Sequence, residues 1–157
     1  MNNTNFKSKS NNLDEANNRF FSVVEKAVFL RGIGLFSRTK TEDLARIAAI
    51  TEEIEFKKRD TIFGEKDHGA SLFFVVSGEV SLRKGDKEIR RVFSQGHFGD
   101  LALLDNEPRE FTAVAVQATR VLKIDSEEFY ELMEDHIEIT RAVFTSLTSQ
   151  IRRLVQQ

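Results

Sequence analysis

Hydrophobic and polar positions alternate differently in three successive parts of the chain. From residue 20, the segment FFSVVEKAVFL repeats apolar residues at helical spacing, which predicts an amphipathic helix. Its predicted buried face is formed by Phe21, Val24 and Val28, with Phe20, Val23 and Ala27 beside them. Thr39, followed three residues later by Glu42, matches a capping box and predicts a second helix through Ile50. The predicted buried stripe of this second helix is Leu44, Ile47 and Ala48.

The middle of the chain changes to a period close to two. The runs EEIEFKK, TIF, SLFFVVSGEVSLRK and EIRRVFS are rich in β-formers and bounded by Gly and Asp, which predicts an antiparallel sheet. Residues 84–87 predict a hairpin turn in which Gly85 supplies the positive φ. The short apolar piece LALLD after Gly99 predicts a brief helical interruption, and FTAVAV and RVLKI predict that the sheet then resumes.

The end of the chain returns to helical spacing. Asp125 and Glu128 predict a capped helix from residue 126 to about 135. A last helix over 137–155 is predicted to carry one apolar stripe, Val143, Leu147, Ile151 and Leu154. The pattern therefore predicts a mainly β fold with flanking helices. We expect a flexible tail at 1–18 and one domain at 19–157, with helices in 19–50, a barrel in 51–124 and C-terminal helices in 126–155.

Composition limits the possible classes of protein. A length of 157 residues fits one domain, and no apolar run approaches the roughly 20 residues that span a bilayer. The start lacks the apolar core of a secretory signal, so we expect a cytoplasmic protein that makes no membrane contact. Without cysteine, the chain has no disulfides and no thiolate chemistry. Residues 100–138 hold eleven acidic and three basic residues, so an anion site there needs strong local help.

One stretch carries candidate chemistry. Residues 95–109 read QGHFGDLALLDNEPR and are followed by EFTAV. This stretch resembles the phosphate-binding cassette of the cyclic nucleotide-binding domain family, which reads F-G-E-L-A-L, a short spacer and P-R-A/S-A-T. The resemblance extends from Leu35 to about Leu154 and includes the segments at 62–63, 72–76 and 77–80. It implies a jelly-roll-like double-stranded β-helix barrel with an N-terminal helical bundle and C-terminal helices.

The resemblance also implies a binding site. In it, Arg109 takes the cyclic phosphate of cyclic AMP or cyclic GMP, and Asp100 stands where the family's Glu accepts a ribose hydroxyl. A guanidinium fork suits a phosphodiester, and backbone N–H groups after Gly99 suit an anion. Thr112 matches a position where a hydroxyl reaches the ligand. The implied ligand-binding residues are Phe98, Gly99, Asp100, Leu101, Ala102, Pro108, Arg109, Glu110, Phe111 and Thr112, and no separate cofactor is expected.

Several residues depart from the family pattern. Asp100 is one methylene shorter than Glu, and Lys66 and Arg59 stand where Gly is common. Glu110 replaces a small residue beside the phosphate, where a carboxylate repels the ligand or pairs with Arg109 as an internal phosphate mimic. Phe111 adds a ring that can fill the pocket. These departures keep a degenerate, non-binding cassette open as an alternative.

Other classes of function have less support in the sequence. The three histidines, His68, His97 and His136, form no H-x-H pair, so the metal site of a cupin-type enzyme is not predicted. No Walker loop or nucleophile elbow is present, and we expect a protein that is not an enzyme. The sequence stops at Gln157 without a winged helix-turn-helix, so no DNA partner is expected.

Two functions remain after these exclusions. The first is a cyclic nucleotide sensor that acts through its C-terminal helix on an unknown protein partner. The second is a degenerate member that serves as a protein-interaction or dimerisation module. In either case the C-terminal helix could pair with a second copy to form a homodimer.

Overall fold

The computed structural model describes residues 20–99 and 107–156. Before the strands it contains helix α1 (Val23–Arg31), a 3-10 helix (Gly34–Phe36) and helix α2 (Thr41–Ala49). After the strands come helix α3 (Ser126–Asp135) and helix α4 (Ile137–Val155). The predicted tail at 1–18 and the predicted helical piece after Gly99 lie outside the described residues.

Eight strands in the described ranges form two four-stranded antiparallel sheets. The strands are β1 (Glu52–Phe56), β2 (Thr61–Phe63), β3 (Ser71–Ser77), β4 (Val80–Lys84), β5 (Lys87–Val92), β6 (His97–Phe98), β7 (Thr112–Ala115) and β8 (Thr119–Asp125). One sheet has the order β1-β8-β3-β6 and the other has the order β2-β7-β4-β5. The chain therefore passes repeatedly between the sheets, and the predicted mainly β fold with flanking helices is confirmed.

Strand β3 separates two hydrophobic cores. Because successive side chains of a strand point to opposite faces, Leu72 and Phe74 pack under the helices while Phe73 and Val75 face the barrel interior. Burial on both faces explains why this strand reads as a continuous apolar run instead of an alternating one. The barrel interior also brings β3 next to β6, with Phe73 opposite Phe98.

The N-terminal helices differ from the sequence prediction in two details. The predicted apolar face of α1 is wrong, because Val24 and Val28 are exposed and the buried residue of that helix is Leu30. The predicted capping box is also wrong: α2 begins at Thr41, its N-cap is Lys40, and no side chain caps it. The predicted buried stripe of Leu44, Ile47 and Ala48 is confirmed.

The C-terminal helices have the predicted bounds but different contacts. Asp125 is the N-cap residue of α3, yet its carboxylate accepts from the Ser71 hydroxyl at 2.8 Å instead of capping the helix. On α4, Val143 is buried, whereas Ile151 and Leu154 lie on the surface. The predicted stripe therefore only partly faces the core. Within the described ranges, no helix is both long and apolar enough to cross a bilayer.

Candidate functional site

Arg109 lies between β6 and β7, and hydrogen bonds fix its backbone on both sides. Its N–H donates to the carbonyl of Asp67 at 2.9 Å, and its own carbonyl accepts from the N–H of Lys66 at 2.8 Å. This pair of bonds joins the turn after β2 to the segment that precedes β7. The Arg109 side chain points inward and is only 6% exposed.

Two backbone carbonyls hold the Arg109 guanidinium. One terminal nitrogen, Nη1, donates to the carbonyl of Gly99 at 3.1 Å, and Nη2 donates to the carbonyl of Ser71 at 3.0 Å. The Phe63 ring lies beneath the guanidinium carbon, with 4.2 Å between that carbon and the ring centroid. A cation over a desolvated aromatic face gains about 1–2 kcal/mol. The seat of Arg109, defined here as Phe63, Ser71 and Gly99, thus combines hydrogen bonds with a cation–π contact.

A cluster of three rings supports this seat from the barrel interior. Phe73 stacks on Phe98 with 5.0 Å between centroids, and Phe63 lies 5.8 and 5.9 Å from those two rings. Phe98 is fully buried and belongs to the hydrophobic core of the barrel interior. The ring cluster helps to fix the position of the guanidinium, because Phe63 contacts both the other rings and Arg109.

Gly99 must be glycine for the seat to form. Its φ of +84° lies in the left-handed region, where side chains with a Cβ are strained. A Cβ built on Gly99 would also lie 2.7 Å from the Ser71 carbonyl oxygen and 2.8 Å from Nη1 of Arg109. The glycine therefore gives the arginine its close approach to the backbone.

The charge of Arg109 has no carboxylate partner among the described residues. Each ion pair found there joins other side chains. Burial lowers the pKa of Arg109, and the nearby Asp67 charge opposes this shift. The Asp67 carboxylate itself accepts from the Gly64 N–H at 2.8 Å. Since buried charges are normally paired, a buried guanidinium without an ion-pair partner in 20–99 and 107–156 is a favourable place for an anion.

The two residues after Arg109 take different positions. Glu110 is exposed, and no ion pair joins it to Arg109, so the suggested internal phosphate mimic is not what the structure shows. The backbone carbonyls of Ser71 and Gly99 take that place instead. Phe111 is half-buried and packs against the barrel-interior cluster. The bulky ring therefore belongs in part to the core.

The remaining predicted site residues fall into three groups. Pro108 is exposed beside Arg109. The Thr112 hydroxyl accepts from the Glu65 N–H at 3.0 Å, and the Glu65 carboxylate accepts from the Gly85 N–H at 2.6 Å in the β4–β5 hairpin. Thr112 is thus tied to the rim of the barrel. Asp100, Leu101 and Ala102 lie outside the described residues.

Two of the noted departures from glycine occupy left-handed backbone. Lys66 has a φ of +66° and Arg59 a φ of +76°. Glycine adopts this region without strain, which explains why it is common at these positions in the family pattern. The fold keeps both turns with non-glycine residues.

Sequence reasoning missed part of the site. Phe63 and Ser71 were noted within apolar or β-rich runs, but not as partners of Arg109. Phe63 reads as an ordinary strand residue, and Ser71 contributes only a carbonyl oxygen, which every residue carries. No three metal-ligating side chains cluster in the described ranges.

Two antiparallel sheets that form a barrel with flanking helices, and an arginine buried at that barrel, define the class of domain. A family model described as the cyclic nucleotide-binding domain matches residues 53–136. The cAMP-dependent protein kinase regulatory subunit of Mycosarcoma maydis is 32% identical over 130 residues, which cover 77% of this chain. The chain belongs to the cyclic nucleotide-binding domain family, whose members are regulatory rather than catalytic domains.

Two further comparisons agree with this assignment. The CRP-like cAMP-activated global transcriptional regulator of Mycobacterium tuberculosis is 22% identical over 125 residues, covering 76% of this chain. The N-terminal domain of a transcriptional regulator from Streptomyces coelicolor A3(2) superposes with a TM-score of 0.73 at 25% identity, over 82% of this chain and 93% of that domain. The matched regions span 24% of the Mycosarcoma subunit and 56% of the mycobacterial regulator.

Proposed function

We propose that this chain binds a cyclic nucleotide, cyclic AMP or cyclic GMP, and grips its phosphate with Arg109. The observation that carries the proposal is a buried guanidinium with no carboxylate partner in the described ranges, at the cassette position of a cyclic nucleotide-binding domain. A guanidinium has five N–H donors, and two of those on Arg109 donate to described carbonyls. Within 20–99 and 107–156 the structure describes no hydrogen-bond acceptor for the other three, which supports their use by a phosphate. The role proposed is binding, without catalysis or a cofactor.

Calorimetry with the purified chain tests this role. Each cyclic nucleotide is titrated into the protein separately. We expect at least one of them to release or absorb heat on binding to wild type. We expect Arg109→Gln to bind that nucleotide at least tenfold more weakly. Arg90→Gln is the matched control, because the exposed Arg90 also donates to a carbonyl, that of His97 at 3.1 Å. Circular dichroism establishes that each variant is folded. An Arg109→Gln protein that is folded and binds as well as wild type would refute the role of Arg109.

The alternative function is a non-binding interaction module, and one observation favours it. The Ser71 and Gly99 carbonyls and the Phe63 ring already satisfy much of the guanidinium, so a phosphate has to compete with them. In this alternative, wild type shows no binding heat. The double variant Glu110→Ser with Phe111→Ala would then gain binding, because it removes a charge and a ring near the site. Micromolar binding by wild type excludes the alternative.

We further propose that binding acts on a protein partner through the C-terminal helices. The Ser71 carbonyl holds Arg109, while the Ser71 hydroxyl donates to Asp125, the residue before α3. The Ser126 N–H, at the start of α3, donates to the Ala70 carbonyl at 2.8 Å. Movement of Arg109 toward a phosphate would therefore act on the segment that holds α3. Hydrogen exchange with and without nucleotide should show changed protection in α3 and α4, and unchanged protection there would contradict this part.

A further inference from the structure

A cavity of about 530 Å³ lies between the second half of α4 and the turn that follows the 3-10 helix. It is lined by Ser37 and Arg38 from that turn and by Ser149 and Arg153 from α4. Each of these four side chains carries a hydrogen-bonding group, and two of them carry a positive charge. The cavity shares no lining residue with the seat of Arg109, so it is a second candidate site.

The two walls of this cavity are packed directly against each other. The hydroxyls of Ser37 and Ser146 form a hydrogen bond at 3.4 Å, and Ser146 is only 2% exposed. One turn further along α4, Nε2 of Gln150 would lie 3.5 Å from a Cβ built on Gly34. The fold therefore sets the relative positions of the two backbone segments that carry the cavity's arginines.

The segments that build the cavity are positively charged, although the whole chain has a formal net charge of −2. Residues 33–41 and 139–157 together contain five basic residues and no acidic residue. Neither Arg38 nor Arg153 forms an ion pair with another residue in 20–99 or 107–156. Lys40 pairs with Glu138 at 3.8 Å, which leaves the two arginines as the cations that line the cavity.

The two serine hydroxyls of the cavity add donors for an anion. The Ser149 hydroxyl donates to the Thr145 carbonyl at 3.0 Å. In an α-helix that carbonyl also accepts from the backbone N–H of Ser149, so the hydroxyl can turn to an anion without leaving the carbonyl unsatisfied. When Ser146 is the donor in its bond to Ser37, the Ser37 hydroxyl proton is also left for a ligand.

We propose that this cavity binds the phosphate groups of a small molecule, with a diphosphate as the best match. Guanidinium groups bind phosphate oxygens through pairs of parallel hydrogen bonds, and two guanidiniums suit the several charges of a diphosphate. The cavity volume lies within the range of about 300–1,000 Å³ that is usual for small-molecule sites. The partial negative charge at the C-terminal end of α4 opposes an anion, so both arginines are needed to outweigh it.

Calorimetric titration with pyrophosphate at constant ionic strength tests this site. We expect wild type to bind pyrophosphate, and Arg38→Gln and Arg153→Gln each to bind it at least about tenfold more weakly, because each loses charge-assisted hydrogen bonds. Arg152→Gln is the matched control, since Arg152 is next to Arg153 on α4 and does not line the cavity. It should weaken binding less than about threefold, through screened long-range attraction alone. A wild type that does not bind, or equal losses for Arg152→Gln and Arg153→Gln, would overturn the proposal.

A second measurement tests whether one anion joins the two walls. A ligand that binds only the folded protein stabilises it, and a ligand held by both arginines should protect both segments. Pyrophosphate should therefore raise the Tm of wild type and slow amide exchange in 34–38 and in 149–155, relative to sodium chloride of the same ionic strength. Arg153→Gln should show neither change. Slower exchange in α4 alone would contradict a ligand that bridges the walls.

A third measurement separates this site from the seat of Arg109. Folded Arg109→Gln protein should bind pyrophosphate as tightly as wild type does, because Arg109 does not line the cavity. A tenfold loss in that variant would place the anion at the seat of Arg109 and overturn the second site. The role of Arg109 itself is tested with cyclic nucleotides, so either proposal can fail while the other stands.

Discussion

The seat of Arg109 buries a charged side chain, whereas the outer face of α4 exposes apolar side chains. Each departs from the usual rule that charged residues lie on the surface and apolar residues in the core. Arg109 is a cation that is 6% exposed, whereas Leu154 is an apolar residue that is 70% exposed. Both arrangements are costly for an isolated chain in water. Within the seat, backbone carbonyls and an aromatic ring offset much of the cost. On α4, no part of the described chain offsets it.

This difference separates two kinds of surface. The seat is built by the fold, so its residues should contribute to the stability of the monomer as well as to binding. The exposed apolar side chains of α4, such as Ile151 and Leu154, make no comparable contribution within the described chain. Substitutions in the two regions should therefore differ in whether they change the free energy of unfolding.

The largest effect should come from the buried side of α4. Ile139 is fully buried and Ile151 is exposed on the same helix. We expect Ile139→Ala to lower the free energy of unfolding by about 3 kcal/mol, because it leaves a cavity in the core. Ile151→Ala should change it by less than about 0.5 kcal/mol. Urea unfolding of the dilute monomer measures both, and similar losses would mean that α4 packs differently.

The next largest loss of stability should come from substituting Gly99, which disrupts the seat of Arg109. Gly99→Ala places a Cβ 2.7 Å from the Ser71 carbonyl oxygen at a positive φ, so we expect a loss of about 2–3 kcal/mol. Gly85 is the matched control, with a φ of +59° and no neighbouring atom within 4 Å of an added Cβ. Gly85→Ala should cost only about 1 kcal/mol in the same unfolding assay. Equal costs would show that the close approach at Gly99 is unimportant.

Removing the guanidinium tests the seat without changing the backbone. Arg109→Met leaves the buried Ser71 and Gly99 carbonyls without their donors, and we expect it to cost about 2 kcal/mol. Arg90→Met removes one exposed bond to a carbonyl and should cost less than about 0.5 kcal/mol. Thermal or urea unfolding measures the pair. A neutral Arg109→Met would mean that the seat adds nothing to the stability of the fold.

The smallest predicted effect concerns Lys66, in the turn whose backbone hydrogen-bonds to the backbone of Arg109. Lys66→Gly relieves a left-handed backbone but increases the freedom of the unfolded chain, so we expect a gain of about 0.5 kcal/mol. Lys58, in a turn without positive φ, is the control, and Lys58→Gly should destabilise by about 0.5 kcal/mol. The prediction is that the two substitutions change the free energy of unfolding in opposite directions when both are measured in the same way. Two changes of the same sign would contradict it.

The sequence predicts the fold well where one periodicity holds over a whole element. The bounds of α4, the β3 run and the turn at Gly85 all follow from spacing or turn chemistry. The burial of α1 does not, because its strongest apolar repeat, with Val24 and Val28, faces solvent. Periodicity identifies an apolar face but does not show which neighbour covers it.

The site is predicted less completely, for a physical reason. The motif identifies Phe98, Gly99 and Arg109, and these three do come together around the arginine. The Ser71 contact cannot be predicted from residue type, since its acceptor is a backbone carbonyl. Glu110 shows the converse case: adjacency in sequence suggested an ion pair, yet its side chain turns to solvent.

The two backbone hydrogen bonds of Arg109 also affect the entropy cost of binding an anion. Its N–H and carbonyl are both engaged, with Asp67 and Lys66, before any anion arrives. The chain has therefore already lost the backbone freedom of this residue during folding, at a cost of about 1–2 kcal/mol. An anion that binds there would therefore not have to order the backbone of this residue, and that part of the entropy cost of association would be absent.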